Sequence, residues 1–313
     1  MSLQSTEDGR LRHLLTLEGL PRETLVALLD RAQAFVDHGG AADPRGALAA
    51  TAVCTLFFEP STRTRLSFQR AAQRLGADVL AFDASTSSTS KGETALDTLR
   101  NIEAMGVRGF IVRHSEDGAA AHLAASARPG TAIINAGDGR SAHPTQGLLD
   151  VLSLRQAKGP DFGALRVAIV GDIRHSRVAR SELHALRTLG IGEIRACGPT
   201  SLLPDDGTLA GCSVGQDLDA ALDGADAVFM LRLQRERMEE GLVPSLEAYH
   251  REFGLTAARL RRAAPDAVVL HPGPMNRGVE ISDEVADGPQ SLVLRQVANG
   301  VAVRMAVLEA LLA

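Results

Sequence analysis

The sequence predicts two tandem α/β domains, each built on a mainly parallel β-sheet that helices flank. The first observation is length, because 313 residues, 45% of them hydrophobic, exceed what one core usually serves. The second is an alternation of short, almost continuously apolar runs with helical patterns, which is typical of parallel strands covered on both faces. The third is that arginine, histidine and hydroxyl side chains follow several of these runs.

The first half of the chain supplies the elements of one such domain. Apolar runs predict strands at residues 52–59, 77–83, 109–114 and 131–137, and helical patterns lie at residues 66–76, at residues 93–106 and after Asp117. Strands that are joined by helical crossovers pair in parallel, so these runs predict a single sheet.

The second half repeats this alternation. Strands are predicted at residues 165–172, 193–199 and 225–231 and directly before His271, with helices at residues 176–190 and 217–224. The domain boundary falls within residues 143–159, where Pro144 suits the first turn of a helix that could run from one domain into the other. Residues 290–312 predict a last amphipathic helix that could pack on either domain.

Composition argues against several classes of function. A formal net charge of −5 disfavours a nucleic-acid or membrane surface, because both need a basic face. No apolar run approaches the roughly 18 residues of a membrane span, so we expect a cytoplasmic protein whose ligand is a small molecule. Cys54, Cys197 and Cys212 are odd in number and widely spaced, which favours structural roles over disulfides or a zinc site. No metal and no cofactor is expected.

The stretch FFEPSTRTRLSF, residues 57–68, places polar residues where a predicted strand gives way to a helix. Such a junction directs unpaired backbone N–H groups and the positive end of the helix dipole at one point, which attracts phosphate. The hydroxyls of Ser61, Thr62 and Thr64 and the guanidinium of Arg63 add further donors. The alternative is that Ser61 or Thr62 merely caps the helix.

Further candidates follow other predicted strands. Arg113 ends one strand, His143 and Gln146 follow another, and His271 and Pro274 follow a third. In open α/β sheets ligands bind beyond the carboxyl ends of strands, so such loops can converge. Each of these residues alone also fits a structural role.

Arginines mark the strand ends of the second half. Arg174 and Arg177 follow one predicted strand, and Arg232 and Gln234 follow another, an arrangement suited to a dicarboxylate. Arg235 and Arg237, which glutamates surround, can equally form a self-paired surface. The VGD segment lacks the G-x-G-x-x-G pattern of dinucleotide-binding proteins. Lysine occurs only at Lys91 and Lys158.

Seven motifs in one order turn these features into a family resemblance. STRTRLSF, KGET, VRH, HPTQ, VGDIRHSR, RLQRER and LHPGP span residues 61 to 274. Together they resemble the catalytic chain of the aspartate carbamoyltransferase family, within the aspartate/ornithine carbamoyltransferase superfamily. The resemblance implies transfer of a carbamoyl group from carbamoyl phosphate to the α-amine of L-aspartate, giving N-carbamoyl-L-aspartate and phosphate in de novo pyrimidine biosynthesis. It also implies a carbamoyl-phosphate domain at residues 1–146 plus 292–313, to which the C-terminal helix returns, and an aspartate domain at residues 147–291.

The resemblance assigns roles to individual residues. Carbamoyl phosphate is expected to contact Ser61, Thr62, Arg63, Thr64, Ser87, Lys91, Arg113, His143 and Gln146, of which Arg63, Thr64, Lys91, Arg113 and His143 would act in catalysis. Aspartate is expected to contact Lys91, Arg177, Arg232 and Gln234, and the loop at Gly273 and Pro274 would line the approach of the amine. Ser88 or Ser90 could replace Ser87, because the serine run leaves the register open. Arg277 receives no role, since it lies three residues beyond Pro274 whereas some relatives carry an arginine directly after that proline.

The same resemblance implies an assembly and leaves two alternative functions. Lys91 matches a loop that reaches into the neighbouring subunit, which implies a homotrimer with shared active sites; compatible partners are a regulatory chain and a dihydroorotase. Ornithine carbamoyltransferase is the nearest alternative enzyme, but an arginine-rich pocket would repel cationic ornithine, and no cysteine stands beside His271 as in that sister family. A non-catalytic anion-binding structural subunit is the second alternative.

Overall fold

The computed structural model describes residues 3–38, 46–83, 92–234 and 245–313. The chain divides into two compact units. Unit 1 comprises Met1–Leu149 and Val297–Ala313, and unit 2 comprises Asp150–Gln296.

Unit 1 is a four-stranded parallel sheet with the strand order β2-β1-β3-β4. Its strands are β1 (Ala52–Phe57), β2 (Asp78–Asp83), β3 (Gly109–His114) and β4 (Ala132–Asp138), and its helices include α1 (Arg22–Asp37), α2 (Thr62–Arg74), α3 (Ala95–Ala104) and α4 (Ala119–Ser126). Every residue of β4 is buried, as a strand covered on both faces requires. Because the strands are parallel, their carboxyl ends share one edge of the sheet.

Unit 2 holds a five-stranded parallel sheet with the order β7-β6-β5-β8-β9. Its strands are β5 (Arg166–Val170), β6 (Glu193–Cys197), β7 (Ser213–Gly215), β8 (Ala227–Met230) and β9 (Val268–Leu270). The helices are α5 (Pro144–Lys158), which begins in unit 1, then α6 (Arg177–Leu189), α7 (Leu218–Leu222), α8 (Leu246–Phe253), α9 (Ala257–Leu260) and α10 (Asp283–Ala286). The central strands β5 and β8 are fully or almost fully buried.

The last helix, α11 (Val293–Leu312), belongs mostly to unit 1. A side chain added at Gly109, the first residue of β3, would lie 2.7 Å from Leu312 Cδ1, so the helix end packs directly on the sheet. At the surface, Glu309 accepts two hydrogen bonds from the Arg31 guanidinium, of 2.5 and 2.7 Å. The prediction that the C-terminal helix returns to the first domain is therefore confirmed.

The predicted fold class is also confirmed, since both sheets are parallel and helices alternate with strands. The predictions omitted α1, β7 and the short helices α8, α9 and α10. Within the described residues, no helix combines the length and the apolar character that a membrane crossing requires. Cys54 and Cys197 are free thiols inside strands, and burial raises the pKa of each to about 12.

Candidate active site

The start of α2 carries the first group of predicted site residues. Ser61 occupies the N-cap position with an extended backbone, yet its hydroxyl accepts no capping hydrogen bond from the described helix. The first turn contains no acidic side chain, Thr62 and Arg63 are exposed, and Thr64 is buried. By contrast, Ser176 caps α6 by accepting from Ala179 N at 3.1 Å. Ser61 therefore does not cap the N–H groups that open α2, and backbone N–H groups at a helix start can bind an anion.

Arg113 lies near the carboxyl end of β3, the strand next to β1. Its Nη2 bonds Glu59 Oε1 at 2.6 Å, and its Nη1 donates to the carbonyl of Ala136 in β4 at 3.1 Å. Glu59 stands two residues before Ser61, so one guanidinium joins the ends of three neighbouring strands. These contacts hold Arg113 at the edge of the sheet where α2 begins.

His143 follows β4 and directly precedes α5. Both His143 and Gln146 are buried, and the Gln146 N–H donates to the His143 carbonyl at 2.9 Å. Asp138, the last residue of β4, shapes the connection by accepting from Asn135 Nδ2 at 2.8 Å and from Ala142 N at 3.2 Å. Buried hydrogen bonds therefore hold the segment of chain that connects β4 to His143.

In unit 2 the ends of β5 and β8 approach each other closely. Gly171 has φ +120°, and a Cβ at this position would lie 2.8 Å from the carbonyl oxygen of Leu231. Only glycine tolerates both that conformation and that contact without strain. The two loops that carry Arg177 and Arg232 therefore leave the sheet side by side.

Asp172 joins these two loops. Its Oδ1 accepts from His175 N at 3.2 Å and contacts His175 Nδ1 at 2.8 Å, while Oδ2 accepts from the Gln234 N–H at 3.2 Å. Asp172 is fully buried, so its hydrogen bonds replace those that water would make. One carboxylate therefore sets the relative position of both loops.

Arg177 and Arg232 lie at the ends of these adjacent strands. Arg177 is the first residue of α6 and is buried, and Arg232 follows β8 and donates to Gln234 Oε1 at 3.1 Å. Gly273 and Pro274 follow β9, which is the next strand in the sheet. The residues predicted to contact aspartate thus follow β5 and β8, and the loop predicted to line the approach of the amine follows the neighbouring strand β9.

Two other arginines point to different partners. Arg174 donates to the carbonyl of Leu203 at 2.9 and 3.1 Å and lies 3.5 Å from Asp205. Arg277 bonds Asp283 and Asp287 at the surface, and those carboxylates raise its pKa. Neither guanidinium is directed to the strand ends described above.

Several predictions fall outside the described residues. These are the predictions for Ser87, Ser88, Ser90 and Lys91 and for the surface arginines Arg235 and Arg237.

Sequence reasoning missed the acidic residues that position the site. Glu59 and Asp172 were not assigned roles, although each directly follows a predicted strand or ends it, as the arginines do. Asp138 likewise ends β4. An acidic residue at the end of a buried strand, beside a strand that ends near an arginine, is the signal that could have identified them.

The fold and these side chains define a two-unit α/β protein with cationic and hydroxyl side chains near the carboxyl ends of strands in both parallel sheets. A family model described as "Aspartate/ornithine carbamoyltransferase, carbamoyl-P binding domain" matches residues 12–156, and one described as "Aspartate/ornithine carbamoyltransferase, Asp/Orn binding domain" matches residues 164–311. The chain belongs to the aspartate/ornithine carbamoyltransferase family.

Individual relatives agree with this assignment. The chain is 76% identical to a Xanthomonas axonopodis protein named aspartate carbamoyltransferase catalytic subunit, over 99% of both chains. It is 75% identical to the protein of the same name from Stenotrophomonas maltophilia, over 99% of this chain and 98% of the other. Among solved structures, aspartate transcarbamoylase from Trypanosoma cruzi in complex with carbamoyl aspartate and phosphate superposes with a TM-score of 0.87 at 30% identity, covering 100% of both chains. Ornithine carbamoyltransferase from Thermus thermophilus superposes with a TM-score of 0.83 at 29% identity, covering 96% of this chain and 99% of the other.

Proposed function

We propose that this chain is an aspartate carbamoyltransferase, which transfers the carbamoyl group of carbamoyl phosphate to the α-amine of L-aspartate. The products are N-carbamoyl-L-aspartate and phosphate. The relatives at 75% and 76% identity carry the name of this enzyme's catalytic subunit over nearly their full length. The reaction belongs to de novo pyrimidine biosynthesis, and we assign the enzyme to the cytoplasm.

Unit 1 supplies the carbamoyl-phosphate site in this proposal. The phosphate binds the uncapped start of α2, where the hydroxyls of Ser61 and Thr62 and the guanidinium of Arg63 add donors to the backbone N–H groups. Arg113 lies near the carboxyl end of β3, the strand beside β1, and His143 follows β4, the next strand in the same sheet. With Thr64 they bind the carbonyl end of the substrate, and Gln146 contacts the carbamoyl group.

Unit 2 supplies the aspartate site, and one observation favours aspartate over ornithine. Arg177 and Arg232 stand at the ends of the adjacent strands β5 and β8. Two guanidinium groups attract the two carboxylates of aspartate and repel the cationic side chain of ornithine. The nearby carboxylate of Asp172 is already engaged by His175 and by Gln234 N–H, so it does not serve a cationic ligand. The fold itself does not discriminate, because an ornithine carbamoyltransferase shares it.

The chemistry rests on positioning and on stabilisation of negative charge. The amine nitrogen forms a bond to the carbonyl carbon, the bond from that carbon to the phosphate oxygen breaks, and the proton that the nitrogen loses ends on the released phosphate. Negative charge gathers on the carbonyl oxygen, where Thr64, Arg113 and His143 donate, and on the leaving phosphate, where Arg63 donates. Loss of one such donor typically costs about 10² to 10³ in rate. A non-catalytic anion-binding subunit would not need Arg177 and Arg232, the arginines assigned to aspartate.

Lys91 and Ser87 complete the proposed site from a neighbouring subunit, which makes the enzyme a homotrimer. The proposal follows the family motif KGET, in which Lys91 stands, and the relatives' designation as catalytic subunits leaves room for a regulatory chain or a dihydroorotase partner. Lys91→Ala and Arg63→Ala chains are expected to be inactive separately and to regain activity when they are dissociated, mixed and reassembled. Mixed assemblies that form, as seen by mass, but stay inactive would contradict shared sites.

Product analysis tests the proposed function. The purified chain is incubated with carbamoyl phosphate and either L-aspartate or L-ornithine, and the products are separated and identified by mass. We expect N-carbamoyl-L-aspartate and no citrulline. Citrulline as the main product would assign the chain to the ornithine enzymes, and neither product above the protein-free blank would support the structural-subunit alternative.

A further inference from the structure

A buried pair of side chains lies directly behind the loop that follows β9. His271 and Glu280 are both essentially inaccessible to solvent, and His271 Nε2 lies 3.1 Å from Glu280 Oε1. We call them the anchor pair. Neither residue has a role in the proposed mechanism, whereas Gly273 and Pro274 of the adjoining loop are predicted from the family resemblance to line the approach of the amine.

Each member of the anchor pair binds one end of the loop at residues 273–276. The Gly273 N–H donates to His271 Nδ1 at 2.8 Å, and the Asn276 N–H donates to Glu280 Oε1 at 2.6 Å. Pro272 and Pro274 have no N–H to donate. The anchor pair therefore takes two of the three backbone donors available in residues 272–276.

These hydrogen bonds define the state of the imidazole. A backbone N–H directed at His271 Nδ1 requires that nitrogen to be an unprotonated acceptor, so the proton of a neutral ring resides on Nε2. Nε2 then donates to Glu280 Oε1, which also accepts from Asn276. This tautomer satisfies both contacts of the imidazole, with Gly273 and with Glu280, and rotation of the ring would break both.

Further hydrogen bonds hold the backbone of His271 in place. The backbone N–H of His271 donates to Gln296 Oε1 at 3.0 Å, and Gln296 Nε2 donates to Asp150 Oδ1 at 2.7 Å. Gln296 is on α11 and Asp150 is on α5, so two long helices support the position of His271. Asp150 in turn neighbours the buried carboxyl of Glu182, whose pKa burial and Asp150 raise well above its usual value.

We propose that His271 and Glu280 are positioning residues that hold the Gly273 and Pro274 loop in the conformation required for attack by the aspartate amine. The inference rests on the proposed function and on the role that the family resemblance gives this loop, which is to line the path of the amine. A displacement of about 1 Å in such a loop can cost about 10² in rate. The anchor pair would then act on the rate of the chemical step and leave the carbamoyl-phosphate site in unit 1 unchanged.

Two substitutions at His271 separate its two hydrogen bonds. His271→Asn keeps an oxygen near the place of Nδ1 and can still accept from Gly273, whereas His271→Gln keeps an amide near Nε2 and can still donate to Glu280. If the loop contact matters, His271→Gln lowers kcat by about 10², and His271→Asn retains clearly more activity although it is the smaller side chain. A role in packing alone predicts the opposite order, since asparagine leaves the larger void.

Glu280 offers a parallel pair of variants. Glu280→Gln retains an Oε1 acceptor for both Asn276 and His271 and is expected to stay within about threefold of the wild-type kcat, whereas Glu280→Ala is expected to lose about 10². The matched control is His250→Gln, because His250 Nδ1 bonds the Val279 carbonyl beside Glu280 at 2.9 Å without touching the loop. His250→Gln is expected to leave kcat unchanged.

Steady-state kinetics, carbamoyl-phosphate affinity and thermal unfolding are measured for every variant. The proposal predicts a fall in kcat with the carbamoyl-phosphate Kd unchanged and with folding retained in His271→Asn and Glu280→Gln. It is overturned if His271→Gln and Glu280→Ala keep wild-type kcat, if asparagine and glutamine at position 271 are equally impaired, or if His250→Gln is impaired to the same degree. A wild-type chain that forms no carbamoyl aspartate would instead refute the proposed function.

Discussion

Replacement of Asp172 by asparagine is expected to break the hydrogen bond that joins the loop after β5 to the loop after β8 in the aspartate site. The asparagine oxygen can still accept from His175, but the side-chain NH₂ then faces the Gln234 N–H, which in the wild type donates to Asp172 Oδ2 at 3.2 Å. A hydrogen bond to a charged group contributes about 1.5–3 kcal/mol, and each 1.4 kcal/mol corresponds to a factor of ten. Because Gln234 and the nearby Arg232 would shift together, we expect the aspartate KM to rise by about 10- to 100-fold.

The assay for Asp172→Asn is steady-state kinetics with aspartate varied at saturating carbamoyl phosphate, together with direct binding of carbamoyl phosphate. Carbamoyl-phosphate affinity should not change, because Asp172 lies in unit 2. Asp206→Asn is the matched control, since Asp206 pairs with Arg180 at the surface of the same unit at 2.7 Å. An aspartate KM within about twofold of wild type for Asp172→Asn would refute the reasoning.

Three further perturbations test other parts of the account. Arg63→Ala is expected to lower turnover by at least about 10² and to weaken carbamoyl-phosphate binding without changing the unfolding temperature, because Arg63 is exposed; near-normal affinity in a binding titration would remove it from the phosphate site. Arg232→Ala should raise the aspartate KM by about 10² while sparing carbamoyl-phosphate affinity, and simultaneous loss of both would indicate a structural role. Tyr249 is the single tyrosine of the chain, and burial, with Glu280 and Asp172 nearby, raises its pKa well above the usual 10.0. Since the folded state then keeps a proton that the unfolded chain loses, the free energy of unfolding should not depend on this tyrosine below about pH 10 and should fall above it. Ultraviolet titration should show no tyrosinate near pH 10 in the folded chain. Tyrosinate that appears there would contradict the buried placement of Tyr249.

The fold class and the positively charged site residues could be predicted from local patterns. Apolar runs alternating with helical patterns are properties of short segments, and they predicted the strands before Ser61 and Arg177 and the strand that contains Arg113. In a parallel sheet every such run ends at the same edge, so residues that directly follow strands were good candidates.

The parts that were missed depend on distant contacts or on weak local signals. Asp172 bonds Gln234 across 62 residues, and Glu59 bonds Arg113 across 54, and nothing in either local sequence indicates the partner. β7 is a fully exposed three-residue strand, so it has no apolar run to predict it. Ser61 matches the pattern of a helix cap, but its hydroxyl does not make that bond.

A crystal structure of the enzyme with N-carbamoyl-L-aspartate and phosphate would test the central claim most directly. We expect phosphate oxygens within about 3 Å of the N–H groups that open α2, and aspartyl carboxylates within about 3 Å of the Arg177 and Arg232 guanidinium groups. Phosphate bound away from the start of α2, or product carboxylates that contact neither arginine, would contradict it.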